Sequence, residues 1–477
     1  MGEARRLIKN TGIIAVGGMA TKLVQFLLLP LYTSVLSTSE YGTVDYLNTI
    51  ALFCVPAVSL LMDEALFRFL IDCRTDDDRR RVVAASCSVL LCGCLLFCAA
   101  VAMVALIARV DGVGWVAALV VAGALLQMVS AVLRGSGDTA SYAVMNFVAS
   151  FTMIVLNVLF IAVFRWGVAG MLSATVLAQG GAAAAFFVRG RIWRYVDVSA
   201  LERDTVRALV RYSIPLIPTK VSWTIMNMSS RLVIMGALGA SPAGVFAVAY
   251  KFPNVMDQVY GFFYMSWKES SARALNSGED EIVFYNLVYH ALRRFMMAVV
   301  LVMTSLMPLA YGLLIDGSYR EGLLYVPILL LATYFSNMSG FYGGIFTAHK
   351  DTAIMGTTTV VSAAVCLALN LLLIPTIGLY GASFATLVAM FAVNEYRRRK
   401  VRMYARLNEN LRESVFIVLS IGVVYGGFYG AVLLGSPLML VVSVAAAICS
   451  SVWMNRSLLS RVLSMLRRLL AARGGKG

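Results

Sequence analysis

The chain alternates between long apolar blocks and short polar stretches along its whole length. Most blocks hold about 20 residues or more, which is what a helix needs to cross a hydrocarbon core about 30 Å thick. The pattern therefore predicts an all-α integral membrane protein with about 14 transmembrane helices. The predicted spans are residues 11–36, 43–70, 82–108, 113–133, 143–164, 168–188, 212–237, 243–266, 295–315, 322–346, 353–375, 378–394, 414–434 and 437–455.

Composition agrees with a lipid environment. Of the 477 residues, 60% are hydrophobic and 14% are charged, whereas a soluble domain carries about 25% charged residues. Seven of the eight cysteines lie inside apolar blocks, where a cysteine packs as a small apolar side chain. We therefore expect neither a disulfide framework nor a metal site.

Lysines and arginines fall on alternate connections between the predicted spans. With a cytoplasmic N-terminus, the inner segments hold 32 of the 40 Lys and Arg, and the outer loops hold three. Basic residues accumulate in the cytoplasmic loops of membrane proteins, so both termini are predicted to be cytoplasmic. The net charge of +15 is thus spread along one membrane face, which argues against a nucleic-acid-binding protein.

Two segments about 210 residues apart share a pattern. Asp138 precedes Asn157 by 19 residues, Asp351 precedes Asn370 by 19 residues, and the pattern G-x-x-x-A-T-x-x-A follows each pair. Each half then holds six spans, and an even number per repeat predicts two parallel lobes. Transporters with different cargoes share such repeats, so the repeat does not identify the cargo.

A shorter repeat supports the same division of the chain. The sequence LSTSEYG at 36–42 matches LGASPAG at 238–244, at the ends of the first and seventh spans. The predicted parts are an N-terminal six-helix lobe (1–205), a C-terminal six-helix lobe (206–400), helices 13 and 14 (401–455) and a basic amphipathic cytoplasmic tail (456–477). We expect the tail to lie on the anionic membrane surface.

The chain resembles the polysaccharide exporters of the multidrug/oligosaccharidyl-lipid/polysaccharide superfamily over essentially its whole length. The likeness is carried by L-x-x-x-EYG at 36–42, by the K-D-T turn at 350–352, and by N-x-x-L-I-P-x-x-G-x-x-G at 370–381. This resemblance implies two six-helix lobes around a V-shaped central cavity. It also implies a flippase that moves undecaprenyl-diphosphate-linked glycans across the bacterial inner membrane for surface polysaccharide biosynthesis.

Three alternatives follow from the same observations. Lipid II flippases and multidrug antiporters share the fold, and a fold does not select a cargo. The third alternative is a membrane enzyme such as a glycan polymerase. It is disfavoured because the longest connection, 267–294, is too short for a catalytic domain. The expected partners are the lipid-linked glycan, membrane lipids, a glycan polymerase and glycosyltransferases.

Five basic side chains lie inside predicted spans, where an ionisable group costs about 3 kcal/mol or more unless it faces a cavity or a partner. They are Lys22, Lys220, Lys251, Arg231 and Arg68. Lys22 and Lys220 each follow a threonine in the first span of a half, and neither has an acid one turn away. With Lys251 they are expected to form a cationic cavity. Such a cavity suits a diphosphate, and it has the wrong sign for a cationic drug.

The two arginines have simpler explanations. Arg68 lies four residues after Glu64, the spacing of an ion pair on one helix face. Arg231 lies near the outer end of its span, where a long side chain can extend to the membrane surface.

Asp257 and Glu64 are the candidate coupling acids, and Asp257 is the better placed of the two. A buried carboxyl group can titrate nearer to neutral pH, and simple pairing with a base is the alternative. The coupling ion is left open between a proton and sodium. The chain has no HExxH, GxSxG, GxGxxG or Walker spacing, so we expect no catalytic residue and no bound cofactor.

The charge distribution makes the topology testable. Reporters fused after Gly190, Lys400 and Gly477 should give cytoplasmic signals, and reporters inserted at 238–242 and 376–378 should give periplasmic signals. The measurement is paired alkaline phosphatase and fluorescent-protein fusions. A cytoplasmic signal from 238–242 would contradict the predicted number of spans.

Overall fold

The structure, a computed structural model, is built of helices and describes residues 26, 28–108, 112–276, 281–408 and 410–474. No strand occurs among these residues. The helices are α1 (Leu29–Val35), α2 (Thr38–Ser59), α3 (Met62–Asp72), α4 (Asp76–Ala108), α5 (Val113–Gly135), α6 (Thr139–Asn157), α7 (Gly167–Arg189), α8 (Arg203–Ser213), α9 (Ile217–Leu238), α10 (Ala240–Asn276), α11 (Glu281–Leu314), α12 (Val326–Ala348), α13 (Thr352–Val401), α14 (Leu411–Leu434) and α15 (Pro437–Gly474).

Shorter helical segments lie between these helices. A π-helical segment extends α6, and 3-10 segments precede α8, α9 and α12. The segments are Val158–Val163 (π) and Ile192–Tyr195, Val198–Ala200, Ile214–Leu216 and Gly317–Leu324 (3-10).

The helices coincide with the predicted spans from the second span onward. The first span, 11–36, lies mostly outside the described residues. α13 carries two predicted spans and is broken at Ile377 and Gly378. By length and hydropathy, eight helices of the described part could cross a membrane, and two bent pairs raise the number to ten. The fold is an all-α, multi-pass membrane fold.

The second predicted span is a broken helix. α2 ends at Ser59 and α3 begins at Met62, with a bend of 47° between them. Leu60 and Leu61 both adopt left-handed backbone conformations, with φ of 50° and 53°. Such φ values are strained for residues with a branched side chain, so the surrounding packing must hold the break in place.

The chain forms two compact units. The first unit contains residues 1–247 and 367–378, and the second contains residues 248–366 and 379–477. The boundaries fall inside α10 and α13, so these two helices contribute to both units.

In the first unit, α5 packs against α2, α3, α4, α6 and α7. The repeat pattern G-x-x-x-A-T-x-x-A supplies part of the packing surface, because Gly170, Ala174 and Ala178 of α7 are all buried. Small residues at this spacing let helix backbones approach closely where no hydrophobic driving force exists in lipid.

In the second unit, α12 is buried over most of its length. Its Phe341 stacks on Trp267 of α10 with ring centroids 4.5 Å apart. The Trp267 indole N–H also donates a hydrogen bond to the Phe341 carbonyl oxygen at 2.9 Å. A stacked ring pair with a satisfied indole N–H fixes α10 against α12.

Within the second unit, an ion pair joins α14 to α11. Glu413, at the start of α14, is buried and accepts a hydrogen bond from Arg294 of α11 at 2.6 Å. The neighbouring Arg293 donates to the Ser414 hydroxyl at 2.8 Å. A buried carboxylate needs such partners, because an unpaired charge in the interior is costly.

Removing the carboxylate should therefore weaken the attachment of α14. Glu413→Gln should lower the free energy of unfolding by about 1–3 kcal/mol, less than for a fully buried pair because Arg294 is one third exposed. Thermal unfolding in detergent measures the change. Glu269→Gln, which removes the exposed pair with Arg273, is the matched control and should change stability little. Equal effects of the two changes would contradict the role of Glu413.

Candidate functional site

Two glycines of the repeated segments bring helix backbones into direct contact in the first unit. A Cβ atom on Gly42 of α2 would lie 1.9 Å from the carbonyl oxygen of Ala240. A Cβ atom on Gly244 of α10 would lie 1.9 Å from the carbonyl oxygen of Thr38. The two contacts are reciprocal, as expected for equivalent residues around an approximate two-fold axis. Only glycine fits at either position.

The residues just before Gly42 explain why α2 begins at Thr38. The Ser37 side chain accepts a hydrogen bond from the Glu40 backbone N–H, and the Glu40 carboxylate accepts one from the Ser37 backbone N–H. This capping box starts α2 one turn before Gly42. The hydroxyl groups of Thr38 and Ser241 then lie 2.8 Å apart across the glycine contact.

A buried ion pair lies next to the glycine contact. The Arg231 guanidinium of α9 donates to the Asp45 carboxylate of α2 at 3.2 Å, and each side chain is 13% exposed. The extension of Arg231 to the membrane surface is therefore a wrong expectation. The carboxylate lies on a helix that packs against α9, so the arginine finds a partner inside the protein.

Lys220 lies in α9, and its side chain is exposed. Asp63 of α3 interacts with it electrostatically, without an ion pair between them among the described residues. Lys22 lies outside the described residues. Because Lys251 belongs to the other compact unit, the predicted meeting of the three lysines stays a prediction.

The expected pairing of Arg68 with Glu64 is wrong. Arg68 of α3 instead forms an ion pair with Asp72 at 2.6 Å, and both side chains are at least half exposed. Glu64 lies in the first turn of α3, directly after the helix break, and is exposed. The Arg68 guanidinium contacts Asp72 at the end of α3, where both side chains are exposed to solvent.

In the second unit, Asp257 of α10 lies beside the carboxamide of Asn337 of α12. Lys251, six residues earlier on α10, is partly buried. Six residues correspond to about 240° of rotation, so Lys251 and Asp257 point to different faces of the helix. The alternative for Asp257 was pairing with a base such as Lys251. This geometry does not favour an ion pair between the two side chains.

Arg397 is a buried cation that sequence reasoning missed. It begins the basic run Arg397–Lys400, which follows the predicted span 378–394, but it lies inside α13 and is 8% exposed. Its guanidinium donates to the hydroxyl of Thr358 at 2.8 and 2.9 Å and to the carbonyl oxygen of Ser339 at 3.4 Å. No carboxylate pairs with it within the described part of the chain.

A model of the polysaccharide biosynthesis protein family matches residues 7–267, which is more than half of the chain. The chain belongs to the polysaccharide biosynthesis protein family. No curated protein matches it.

Solved structures share the fold of this family member at low sequence identity. An inward-facing multidrug resistance MATE transporter has a TM-score of 0.64 at 15% identity, covering 82% of this chain and 98% of that one. The lipid II flippase MurJ, in an inward closed conformation, has a TM-score of 0.62 at 12% identity, covering 94% and 99%. A transporter from Pyrococcus furiosus has a TM-score of 0.54 at 16% identity, covering 83% and 95%. The chain has the fold of the multidrug/oligosaccharidyl-lipid/polysaccharide superfamily.

The glycine contact can be tested by crosslinking. With the native cysteines replaced, Thr38→Cys with Ser241→Cys should form an intramolecular disulfide on mild oxidation, because the two hydroxyl groups lie 2.8 Å apart. Mass spectrometry of the joined peptides measures it. Ser39→Cys with Ser241→Cys is the control, since Ser39 is rotated by about 100° around α2. A disulfide in the control and none in the test pair would contradict the contact.

Proposed function

We propose that this family member is a flippase in the bacterial inner membrane, with both termini in the cytoplasm. Its cargo is a polyprenyl-diphosphate-linked oligosaccharide that moves from the cytoplasmic to the outer leaflet for surface polysaccharide biosynthesis. The diphosphate headgroup contacts basic side chains, and the prenyl chain stays in lipid. Family membership and the shared superfamily fold support the transporter class, and the charges inside the membrane support the anionic cargo.

The exposed position of Lys220 in α9 is the observation that carries this proposal. Arg231 and Arg68 already have carboxylate partners at 3.2 and 2.6 Å, so a new anion would have to displace those partners. Lys220 keeps an exposed side chain in a helix of the membrane region, with no ion pair among the described residues. A lysine that can exchange anions is a suitable reversible phosphate partner. In this proposal Lys22 and Lys251 join Lys220 in the cationic cavity.

The glycine contact and the buried ion pair suit a gate at the outer face. Both lie at the ends of helices opposite the basic loops. Close backbone packing at Gly42 and Gly244 excludes water from the contact. The Asp45–Arg231 ion pair then holds the contact closed, so that no large hydrophobic surface is needed to hold it. Outward opening would separate these groups and expose the charges to water. Hydration of the separated charges would offset the lost pairing energy.

A cationic drug is the wrong cargo for this charge pattern. The Pyrococcus furiosus transporter of the same superfamily has a binding pocket of reverse polarity, which suggested a different function for it. Pocket charge therefore distinguishes functions on this fold. In the chain described here, Lys220 would repel a cationic drug.

Lipid II, the peptidoglycan precursor, is the second candidate cargo. The MurJ structure covers 94% of this chain, whereas the MATE structure covers 82%. Lipid II also carries a diphosphate, so the basic side chains do not distinguish the two glycolipids. Rescue of cells depleted of their lipid II flippase would identify lipid II as a cargo, and failure to rescue would favour the surface polysaccharide.

Substitution of the lysines tests the proposal. Lys220→Ala and Lys22→Ala should each reduce polysaccharide export at least tenfold, about 1.4 kcal/mol of lost anion binding. Lys220→Arg should retain part of the activity, because the positive charge is kept. Surface polysaccharide is measured by immunoblotting, with protein level and membrane insertion checked in parallel.

Lys350→Asn is the matched control for these changes. Lys350 is exposed in a turn and has a φ of 60°, a conformation that asparagine tolerates well. The control should leave export unchanged. Wild-type export from both alanine variants would contradict a role for these lysines in cargo binding.

A further inference from the structure

An open cavity of about 730 Å³ lies in the second unit, at the end of α11. Its walls are the last two turns of α11, the 3-10 segment Gly317–Leu324, and the turn that joins α14 to α15. We call it the α11–α15 cavity. Its volume is in the range of about 300–1,000 Å³ that small-molecule sites occupy.

The local sequence fixes two of these walls. The Asp316 carboxylate accepts hydrogen bonds from the backbone N–H and the hydroxyl group of Ser318, at 2.9 and 2.7 Å, and so begins the 3-10 segment. Gly435 ends α14 with a φ of 65°, a left-handed conformation that glycine adopts without strain. Pro437 then begins α15, where its missing N–H costs nothing. Both connections are short, so the cavity between them is preformed.

The lining of the cavity is apolar along the helices and polar at the loops. On α11 the lining runs from Ile315 to Pro308, seven residues and thus about 10 Å along the helix axis. Further apolar side chains come from the other walls: Leu323, Val432 and Leu440. Arg320 and Ser436, which lie in the two connections, contribute a guanidinium and a hydroxyl group. This division matches a lipid molecule near its headgroup, where a polar end adjoins apolar chains.

Arg320 supplies the charge of the cavity. It is exposed, and it is the one charged side chain among the described residues that line the cavity. The two acids near it in sequence have other partners: Asp316 accepts from Ser318, as described above. Glu321 accepts a hydrogen bond from the Tyr325 hydroxyl group. Arg320 forms no ion pair within the described part of the chain, so its guanidinium is available to an anion from outside the protein.

We infer that the α11–α15 cavity binds an anionic glycerophospholipid of the outer leaflet. The phosphate of the lipid contacts the Arg320 guanidinium, and the glycerol and the first carbons of the acyl chains lie against the apolar wall of α11. Arginine is well suited to this contact, because its planar fork of N–H donors matches the oxygens of a phosphate group.

The charge of the cavity favours a phospholipid over the proposed cargo. A phosphodiester carries one negative charge, which a single guanidinium neutralises. A diphosphate carries more negative charge than the cavity can neutralise, and uncompensated charge next to an apolar wall is costly. The inference takes only the outer position of the 316–324 and 434–437 connections from the proposed topology, and it does not depend on the nature of the cargo.

A lipid in this position would join parts of the second unit that the chain itself connects only through α11. It would contact α11, the 3-10 segment and the α14–α15 turn at the same time. A ligand that binds only the folded state stabilises it. Added phosphatidylglycerol should therefore raise the thermal unfolding temperature of the wild-type protein in detergent, and should raise that of Arg320→Gln less.

Photolabelling of the purified full chain tests where the lipid binds. The probes are a phosphatidylglycerol with a diazirine near the start of one acyl chain, and a diacylglycerol with the same chains and no phosphate. Mass spectrometry locates the adducts. Phosphatidylglycerol should label residues 308–315 and 431–440 at least about threefold more than diacylglycerol does, the size expected of one exposed charge contact. Equal labelling by the two probes would overturn the phosphate contact.

Substitution of Arg320 tests the charge. Arg320→Gln should reduce phosphatidylglycerol labelling of these residues to about the level of diacylglycerol, because the phosphate loses its cation. Arg320→Lys should retain part of the labelling. Arg165→Asn is the matched control: Arg165 is exposed in another predicted outer loop, lies in the first unit, and has a φ of 54° that asparagine tolerates. Unchanged labelling in Arg320→Gln would overturn the inference.

Filling the cavity tests its position independently of charge. A Cβ atom on Gly312 would meet no atom within 4 Å, so Gly312→Leu can place its side chain in the cavity without a clash at the backbone. This variant should reduce labelling by both probes. Gly422→Leu, at an exposed and equally open position of α14, is the matched control and should change nothing. Equal labelling of the two leucine variants would overturn the assignment of the lipid to this cavity.

Competition experiments separate the sources of the phosphate. An excess of inorganic phosphate should not reduce the labelling, and a reduction would show a site for a free anion instead of a lipid. Displacement by undecaprenyl diphosphate at lower concentrations than by unlabelled phosphatidylglycerol would make the cavity part of the cargo pathway and overturn the inference. The labelling predicted above in a protein that moves no glycolipid would contradict the proposed function and leave the lipid site intact.

Discussion

The cost of holding charge inside a membrane determines where the polar residues of this chain lie. An ionisable side chain in hydrocarbon is costly unless it finds a partner or water. The structure meets this constraint in several ways. Arg231 pairs with Asp45, and Arg397 is surrounded by hydroxyl and carbonyl oxygens. Lys220 keeps an exposed side chain, which is why we propose it as a binding partner of the anionic cargo.

The same constraint links the gate to the cargo in our account. A gate made of close backbone contacts and one ion pair can close without a large apolar surface. Lipid would cover such an apolar surface when the gate is open. The contact between Gly42 and Ala240 leaves no space for a side chain. Glycine is thus required at the crossing for steric reasons, while the Asp45–Arg231 pair next to it gives the contact an electrostatic component. Opening such a contact needs hydration of the charges rather than exposure of a hydrophobic surface.

The apolar blocks were enough to predict the helices, and the motifs at 36–42, 350–352 and 370–381 carried the resemblance to the superfamily, because these signals are local in the sequence. Partners distant in sequence were not predictable in this way. Asp45 and Arg231 are 186 residues apart, and only helix packing brings them together. Arg397 was missed because it begins a run of four basic residues that is typical of a cytoplasmic loop. The break between α2 and α3 has no glycine to signal it, since leucines occupy the strained positions.

Transport by the purified protein tests the central claim most directly. The protein would be reconstituted into liposomes with a fluorescent undecaprenyl-diphosphate-linked oligosaccharide, and dithionite would quench the label that reaches the outer leaflet. The account predicts protein-dependent movement of the diphosphate-linked glycolipid and little movement of an uncharged polyprenyl glycoside of the same glycan. Equal transport of the two lipids, or transport of a cationic dye in place of the glycolipid, would contradict recognition of an anionic headgroup.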